Sequence, residues 1–202
     1  VKVAVRVRPF NGREKSQGSE LILSMDGART TVKDPDNEKT YPYDFDYSIW
    51  SHDEENGDFV SQDRLFDMIG KDCLHDFWDE KFNVCLFAYG QSGAGKSFSM
   101  TGVRGVPKQA GMIPRLSEAV LENISKDKQP DTSYLCTVGM LEIYMGVVQD
   151  LLIDRKKCSP QGLKIVNNQA HGLLRMPVTT TEQIMTLLEK GQRNQTVAAT
   201  GL

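Results

Sequence analysis

The chain has 202 residues, of which 39% are hydrophobic and 25% are charged, a composition that is ordinary for a globular domain. Its net charge of −3 gives no indication of nucleic-acid binding, no apolar run approaches the roughly 18 residues of a membrane span, and the N-terminus lacks the order of a signal peptide. The four cysteines show no CxxC spacing and the three histidines are scattered, so we expect reduced thiols rather than disulfides or zinc ligands, and a cytosolic location.

The N-terminal part of the chain is predicted to form short strands followed by a helix. Valine at every second position from Val1 to Val7 is typical of a strand, and Pro9 ends it because proline has no N–H to give a sheet. Further short strands are predicted at 21–23, 30–32 and 43–47, with a turn at 34–37. Ser61 is a good helix N-cap, and the apolar residues that follow at four-residue spacing predict an amphipathic helix: Leu65, Ile69, Cys73 and Phe77.

A continuous apolar run leads into a loop rich in glycine. Residues 83–89 show no alternation, which predicts a strand buried on both faces. The glycine-rich loop, residues 90–97, comes next, and residues 97–100 are predicted to form the first turn of a helix. Strand, loop and helix in this order are the context that a phosphate-binding motif requires.

The glycine-rich loop matches the pattern G-x-x-x-x-G-K-[ST], and every one of its residues is a candidate nucleotide contact: Gly90, Gln91, Ser92, Gly93, Ala94, Gly95, Lys96 and Ser97. The glycines let the backbone wrap so that its N–H groups form an anion nest. Lys96 is predicted to contact the β- and γ-phosphates, and the Ser97 hydroxyl to bind Mg²⁺. The alternative is a surface turn with one exposed lysine, and about one chain of this length in a hundred would match by chance. The context favours the phosphate site.

The C-terminal half continues with alternating helices and strands. Residues 102–111 are predicted to be a loop, and Pro114 to lie in the first turn of a helix whose core face contains Leu116, Val120 and Ile124. A long strand is predicted at 134–144, a polar turn at 155–162, and a small hairpin from 163–166 and 173–174. The class is therefore α/β, with helices on both faces of a sheet.

The last predicted element is a helix with a capping signature. Thr180 and Gln183 have the spacing of a capping box. A buried stripe is predicted from Ile184, Leu187 and Leu188, and Gly191 is placed to end the helix.

The residues that would hydrolyse a bound nucleotide are not evident in the sequence. Hydrolysis needs groups that hold Mg²⁺, position water and sense the γ-phosphate. Asp67 and Gly70 have a D-x-x-G spacing, but they lie inside the predicted amphipathic helix. Asp150 interrupts an apolar run and is interpreted as a turn or helix residue. The sequence thus indicates a nucleotide site without a catalytic half.

The segment around the glycine-rich loop, residues 87–102, resembles the nucleotide loop of kinesin motor domains. Other segments agree with that family in order and spacing: 3–10 with its R-x-R-P motif, 45–47, 111–115, 142–152 and 196–200. Residues 47–52 look most like the third kinesin class, the organelle transporters.

The resemblance implies a fold, ligands and partners. The fold would be of the P-loop NTPase type, with a central mixed β-sheet and helices on both faces. Arg8 and Pro9 would border the adenine of ATP and Phe98 would lie on its other face, with Mg²⁺ on Ser97. Microtubules would be the partner in the cytoplasm and cytoskeleton, and cargo or adaptors would bind outside this segment. No nucleic-acid partner and no direct membrane insertion are implied.

The resemblance also predicts where the catalytic residues lie. The chain begins at Val1 without methionine and stops at Leu202. We therefore expect residues 1–202 to be the N-terminal part of a single motor domain. Both kinesin switch motifs would follow Leu202, so no catalytic residue is expected within the segment, and the segment alone is not expected to turn over ATP.

Several residues depart from the family pattern. Met145 and Gly146 stand where the family usually has Asn and Glu, and Val147 and Gln195 stand where many members have basic residues. Fewer positive charges weaken association with an acidic filament. The alternatives to a microtubule motor are therefore a catalytically inactive module that binds nucleotide and microtubules, and an unrelated P-loop kinase or GTPase. We interpret residues 155–157 as a solvated turn rather than a filament contact.

Overall fold

The structure is a computed structural model that describes residues 1–195, without the side chain of Arg155. The segment 196–200, which resembles the region before the first kinesin switch, lies outside the described residues. The chain divides into two compact units, Val1–Met112 and Ile113–Leu202. In the described part of the chain, no helix is both long and apolar enough to cross a membrane.

The strands of the first unit form two separate sheets. β1 (Ala4–Val7) pairs in parallel with β5 (Tyr47–Trp50). β2 (Leu23–Asp26), β3 (Arg29–Lys33) and β4 (Thr40–Asp44) form an antiparallel sheet in that order. The single strand predicted at 43–47 is wrong, because these residues contain the end of β4 and the start of β5. The chain passes from one sheet to the other at residues 45 and 46. There Phe45 N–H donates to the Ala28 carbonyl at 3.0 Å, and the Asp46 carboxylate accepts from Val3 N–H at 2.7 Å.

The helix predicted after Ser61 is present, but it changes pitch along its length. It consists of α2 (Gln62–Leu65), a π-helical turn (Phe66–Gly70) and α3 (Lys71–Trp78). The Ser61 hydroxyl accepts from Arg64 N–H at 3.2 Å, which confirms the predicted N-cap. The apolar stripe leaves the core toward its end, since Leu65 is buried while Phe77 is 44% exposed. A four-residue spacing drifts around a helix of 3.6 residues per turn.

The core of the first unit is a cluster of four buried side chains. Ile49, Val60, Leu65 and Met112 lie at its centre. Partly buried hydrophobic residues pack against them: Tyr47, Phe66, Met68, Ile69 and Leu86. The cluster joins strand β5 to the helix after Ser61, so it supports the strand pair that carries the R-x-R-P segment.

The apolar run before the glycine-rich loop is not a buried strand, and this prediction is wrong. Within the described residues no strand pairs with residues 83–89. Phe87 is 75% exposed and Tyr89 is 96% exposed, while Leu86 packs against the core of the unit. A strand is buried on both faces when neighbouring strands and packed layers cover it, and the described residues do not supply that cover.

The helix after the glycine-rich loop and the loop that follows agree with prediction. α4 spans Lys96–Met100. The 102–111 loop contains a 3-10 turn (Pro107–Gln109), and a bridge between Gly102 and Ala110 closes it. A Cβ at Gly111 would lie 2.6 Å from the Met100 carbonyl carbon. Only glycine allows the two ends of the loop to approach this closely.

The first unit also contains a short helix, α1 (Gly12–Ser16). The second unit contains pairs of short antiparallel strands and two longer helices. The helices are α5 (Met112–Lys126), which begins at the last residue of the first unit, and α6 (Thr181–Asn194). The strands are β6 (Thr137–Val138), β7 (Leu141–Tyr144), β8 (Val147–Asp150), β9 (Ile165–Val166), β10 (Gln169–Ala170) and β11 (Met176–Pro177), with a 3-10 turn at Arg155–Lys157. β7 pairs with β8, β9 with β10, and β6 with β11, all antiparallel.

Two strand predictions in this unit needed correction. The long strand predicted at 134–144 is divided into β6 and β7, because β6 pairs with β11 and β7 pairs with β8. The predicted hairpin has its second strand at β10 rather than at 173–174. Asn167 and Asn168 have φ values of 49° and 59°, which make a two-residue turn directly after β9.

Helix α6 begins as predicted and ends later than predicted. Gln183 N–H donates to the Thr180 hydroxyl at 3.3 Å and the Gln183 side chain accepts from Thr180 N–H at 3.3 Å, so the capping box is confirmed. Gly191 does not end the helix. It is buried inside α6, where a Cβ would meet the Met140 sulfur at 2.0 Å. The glycine therefore permits close packing of the helix instead of terminating it.

Asp150 is the last residue of β8 and not a turn or helix residue. Its side chain is buried, with 4% exposure. One carboxylate oxygen accepts from Leu152 N–H at 2.8 Å and the other from Leu174 N–H at 2.7 Å. These two bonds explain why an acidic residue interrupts an apolar run, because a buried carboxylate needs hydrogen-bond donors.

Met145 occupies a turn position that suits asparagine better. In the two-residue turn between β7 and β8, Met145 has φ 49° and Gly146 has φ 78°, and the Met145 side chain is 85% exposed. Residues other than glycine, asparagine and aspartate are strained in this conformation, by about 1–2 kcal/mol. We expect Met145→Asn to relieve part of that strain and to raise the free energy of unfolding by about 0.5–1 kcal/mol.

Chemical denaturation of the motor domain measures the effect of Met145→Asn. Met145→Leu is the matched control, since it changes the side chain without relieving the positive φ. An asparagine variant no more stable than the leucine variant would contradict the prediction.

Candidate functional site

The glycine-rich loop is wrapped by residues in left-handed backbone conformations. Gly93 has φ 77° and Gly95 has φ 95°, values that favour glycine. Within the loop, Ala94 N–H donates to the Gln91 carbonyl at 3.2 Å. Gly95 is the N-cap of α4, so the wrapped backbone continues directly into a helix. Gly90 begins the loop, and Gln91 and Ser92 are exposed at its surface.

Lys96 lies across the loop that precedes it. Its ammonium nitrogen, Nζ, donates to the Gly90 carbonyl at 2.7 Å and to the Gln91 carbonyl at 2.8 Å. The side chain is half-buried at the start of α4, and Ser97 beside it is exposed. An ammonium and a hydroxyl are thus held at one end of a glycine-wrapped backbone. That set of donors is suited to a polyphosphate chain, and a Ser hydroxyl together with phosphate oxygens and water suits Mg²⁺.

Arg8 connects strand β1 to the glycine-rich loop. Its Nε donates to the Gly93 carbonyl at 2.7 Å. One terminal nitrogen donates to the Pro9 carbonyl at 2.6 Å and to Glu14 at 2.7 Å, and the other donates to Glu14 at 2.6 Å. The guanidinium of Arg8 is therefore fixed against the loop backbone. Pro9, the other residue predicted to border adenine, follows Arg8 directly and is exposed.

Glu14 is the carboxylate that holds Arg8. The guanidinium of Arg8 and the backbone N–H of Asn11 lower the pKa of Glu14 from 4.5 to about 2. Because the folded-state pKa lies below the ordinary value, the ion pair stabilises the fold above about pH 4.5. This contribution decreases as the pH falls from 4.5 and is lost near pH 2.

Phe98 is contacted by Arg6 and Gln62, two residues that were not among the predicted site residues. The Arg6 guanidinium lies 5.6 Å from the centre of the Phe98 ring, and Phe98 is 39% exposed. Arg6 donates to the side chains of Ser51 at 2.9 Å, Gln62 at 2.7 Å and Ser99 at 2.9 Å. Gln62 in turn donates to the Phe98 carbonyl at 2.7 Å.

Arg6 is thus a charged residue that contacts the ring of Phe98 and binds the polar side chains around it. Burial lowers its pKa to about 10, which leaves it protonated at neutral pH. The sequence could have identified Arg6 as a site residue. Residues two apart on a strand share a face, so the predicted strand places Arg6 on the same face as Arg8. No comparable signal points to Gln62.

Sequence comparisons relate the whole chain to one family. The model of the kinesin motor domain family matches residues 6–202. The chain is 43% identical over 208 residues to the kinesin-like protein KIF1B of Rattus norvegicus and 37% identical over 209 residues to the kinesin-like protein unc-104 of Caenorhabditis elegans. Both alignments cover 100% of this chain but only 11% and 13% of those proteins. These relatives belong to the third kinesin class, which confirms the expected likeness to that class.

A solved structure shows the same fold. KIF14 residues 391–755 with ADP, in complex with a microtubule, superpose with a TM-score of 0.86 at 33% identity, covering 100% of this chain and 56% of that one. The predicted α/β class and kinesin motor fold are confirmed. The family match over residues 6–202 and the shared fold lead to one conclusion: this chain belongs to the kinesin motor domain family.

Proposed function

We propose that the chain is the N-terminal part, residues 1–202, of a single motor domain that binds ATP and drives movement along microtubules. The observation that carries the proposal is the glycine-rich loop of a kinesin-family chain, with the Lys96 ammonium lying across its carbonyls. Because the chain spans only 10–19% of the length of the curated relatives it matches, the activity of the whole protein is part of the proposal.

The proposed nucleotide site is residues 90–97 with Arg8, Pro9 and Phe98. The loop backbone and Lys96 would bind the phosphates, and the Ser97 hydroxyl would hold Mg²⁺. Arg8, Pro9 and Phe98 would enclose the base, because a proline ring and an aromatic ring make a flat apolar slot. When bound, ATP supplies the phosphoryl group and Mg²⁺ neutralises its charge. The residues that position water would follow Leu202.

Microtubules are the proposed partner, in the cytoplasm and on the cytoskeleton. The support is a solved relative at 33% identity whose structure was determined in complex with a microtubule. Cargo or adaptors would bind through regions outside this segment. Our proposal includes neither a nucleic-acid partner nor direct insertion of this segment into a membrane. Hydrolysis would change filament affinity through loops that order around the γ-phosphate.

Steady-state ATPase activity of the full-length protein, with and without microtubules, tests the proposal. We expect strong stimulation by microtubules. Nucleotide binding without stimulated turnover would reject the motor and support the second candidate, a catalytically inactive module that binds nucleotide and microtubules. Failure to bind nucleotide at all would reject both.

The second candidate is favoured by the tip of the β7–β8 hairpin. There, the family's usual Asn and Glu are replaced by Met145 and Gly146, and Met145 is 85% exposed. Val147, which replaces a frequent basic residue, is half-buried. Of these replacements only Val147 removes a positive charge, which slows association with an acidic filament. Slower association lowers turnover stimulated by microtubules, and that turnover is what the second candidate lacks.

Phe98→Ala is expected to raise the dissociation constant of ATP about fivefold, which corresponds to about 1 kcal/mol of lost stacking. The effect is near the lower end of base stacking because Arg6 already lies over the ring at 5.6 Å. Equilibrium binding of a fluorescent ATP analogue measures it. Phe77→Ala is the matched control, since Phe77 is 44% exposed on α3. An unchanged dissociation constant for Phe98→Ala would refute the base slot.

A further inference from the structure

We propose that Glu14, which lies outside the glycine-rich loop, is a positioning residue that sets nucleotide affinity by holding Arg8 against the loop. The inference rests on the proposed function, since it concerns the same site. Two contacts and one peptide bond in series carry it: Glu14 binds Arg8, Arg8 binds the Gly93 carbonyl, and the peptide bond joins that carbonyl to the N–H of Ala94.

The first contact is a two-pronged ion pair. Both carboxylate oxygens of Glu14 accept from Arg8, at 2.6 and 2.7 Å, and the two side chains are 28% and 30% exposed. Paired, parallel bonds of this kind fix the plane of a guanidinium as well as its distance. Because Glu14 binds both terminal nitrogens of Arg8, the Nε–H of Arg8 is directed toward the glycine-rich loop.

The second contact transmits that orientation to the loop. Arg8 Nε donates to the Gly93 carbonyl at 2.7 Å. The carbonyl of Gly93 and the N–H of Ala94 belong to one planar peptide, so fixing one fixes the direction of the other. Gly93, with φ 77°, has no Cβ to restrict its own rotation. The Ala94 N–H itself donates to the Gln91 carbonyl at 3.2 Å, so the Arg8 bond is a second hold on the same peptide, from outside the loop. Losing it would leave the arrangement of the loop to that one longer bond.

Glu14 is itself fixed by the helix that carries it. In α1, Glu14 N–H donates to the Asn11 side chain at 2.8 Å and a Glu14 oxygen accepts from Asn11 N–H at 2.8 Å. This capping box needs only one acceptor atom at residue 14, and glutamine can provide it. The paired contact to Arg8 needs two carboxylate oxygens. One oxygen, Oε2, accepts from both Asn11 N–H and Arg8, and the other accepts from Arg8 alone. Glutamine can therefore keep the cap and one bond to Arg8, while it removes the charge and the second bond.

The test uses the full-length protein and equilibrium titration with a fluorescent ADP analogue. We expect Glu14→Gln to raise the ADP dissociation constant about two- to fivefold, the range of a partly exposed ion pair. The KM for ATP should rise by a similar factor while kcat at saturating ATP stays unchanged. The melting temperature should change little because the cap is retained. Added to Arg8→Ala, the Glu14→Gln change should have no further effect on ADP binding.

Asn11→Ala is the matched control. It removes the cap of the same helix but leaves the Glu14–Arg8 pair, so it should lower stability without weakening ADP binding. The inference is overturned if Asn11→Ala weakens ADP binding as much as Glu14→Gln does, or if Glu14→Gln binds ADP like the wild type. A wild-type protein that shows no saturable ADP binding would overturn the proposed function itself, together with this inference.

Discussion

Replacing Lys96 with alanine is expected to weaken nucleotide binding at least about 100-fold and to abolish microtubule-stimulated ATPase activity. The Lys96 ammonium lies within 2.8 Å of two carbonyls of the glycine-rich loop. In the proposed site it would contact the phosphates from that position. Hydrogen bonds between charged partners contribute about 1.5–3 kcal/mol each, and Lys96 would make such bonds to two phosphates. Since 1.4 kcal/mol is about a factor of ten in a dissociation constant, losing them gives at least the stated effect.

The test compares the ADP affinity and the ATPase activity of the Lys96→Ala variant with those of the Lys108→Ala variant. Lys108 is an exposed lysine in the 3-10 turn of the neighbouring 102–111 loop, so its removal changes the net charge equally. Melting temperatures of both variants separate binding from folding, because the alanine at 96 also removes two bonds to the loop backbone. An ADP dissociation constant for Lys96→Ala within threefold of the Lys108→Ala value would contradict the assigned role.

Ile49→Ala is expected to lower the free energy of unfolding by about 2–5 kcal/mol. Ile49 has 0% exposure and is the centre of the cluster with Val60, Leu65 and Met112. Truncation leaves a cavity that a close-packed core does not fill. Ile49 lies opposite Arg6 in the β1–β5 pair, so the loss should also disturb the strand that carries Arg6 and leads into Arg8.

Chemical denaturation of the motor domain measures this loss. Ile22→Ala is the control, because it deletes the same atoms from a side chain that is 38% exposed. We expect the control to cost less than about 1 kcal/mol. Equal losses in the two variants would show that the cluster around Ile49 does not dominate the stability of this unit.

The features that the sequence predicted correctly depend on neighbours in the chain. Ser61 and Thr180 cap their helices through residues three positions later, and those contacts are present. The helical turn predicted at 97–100 and the loop predicted at 102–111 are also present. Such elements could be predicted because the interacting atoms lie within one turn of each other.

The wrong predictions involve partners that are distant in the sequence. Residues 83–89 have the composition of a buried strand, but burial depends on strands that pair with them and not on their own side chains. Gly191 fits a helix end by type, yet its place beside Met140 makes it a packing residue. Asp150 was predicted to lie in a turn or helix because one of the two N–H groups that bind its carboxylate, that of Leu174, lies 24 residues away.

By itself, the sequence determined the glycine-rich loop, the helix caps and the resemblance to kinesins, because residue type and spacing within a few positions are enough to specify them. Only the tertiary structure decided that Arg8 holds Gly93, that Glu14 holds Arg8, and that Arg6 lies over Phe98. The most distant of these pairs, Arg6 and Phe98, is separated by 92 positions in the sequence. Their geometry follows from the pairing of β1 with β5 and the packing of the core, which bring distant segments together.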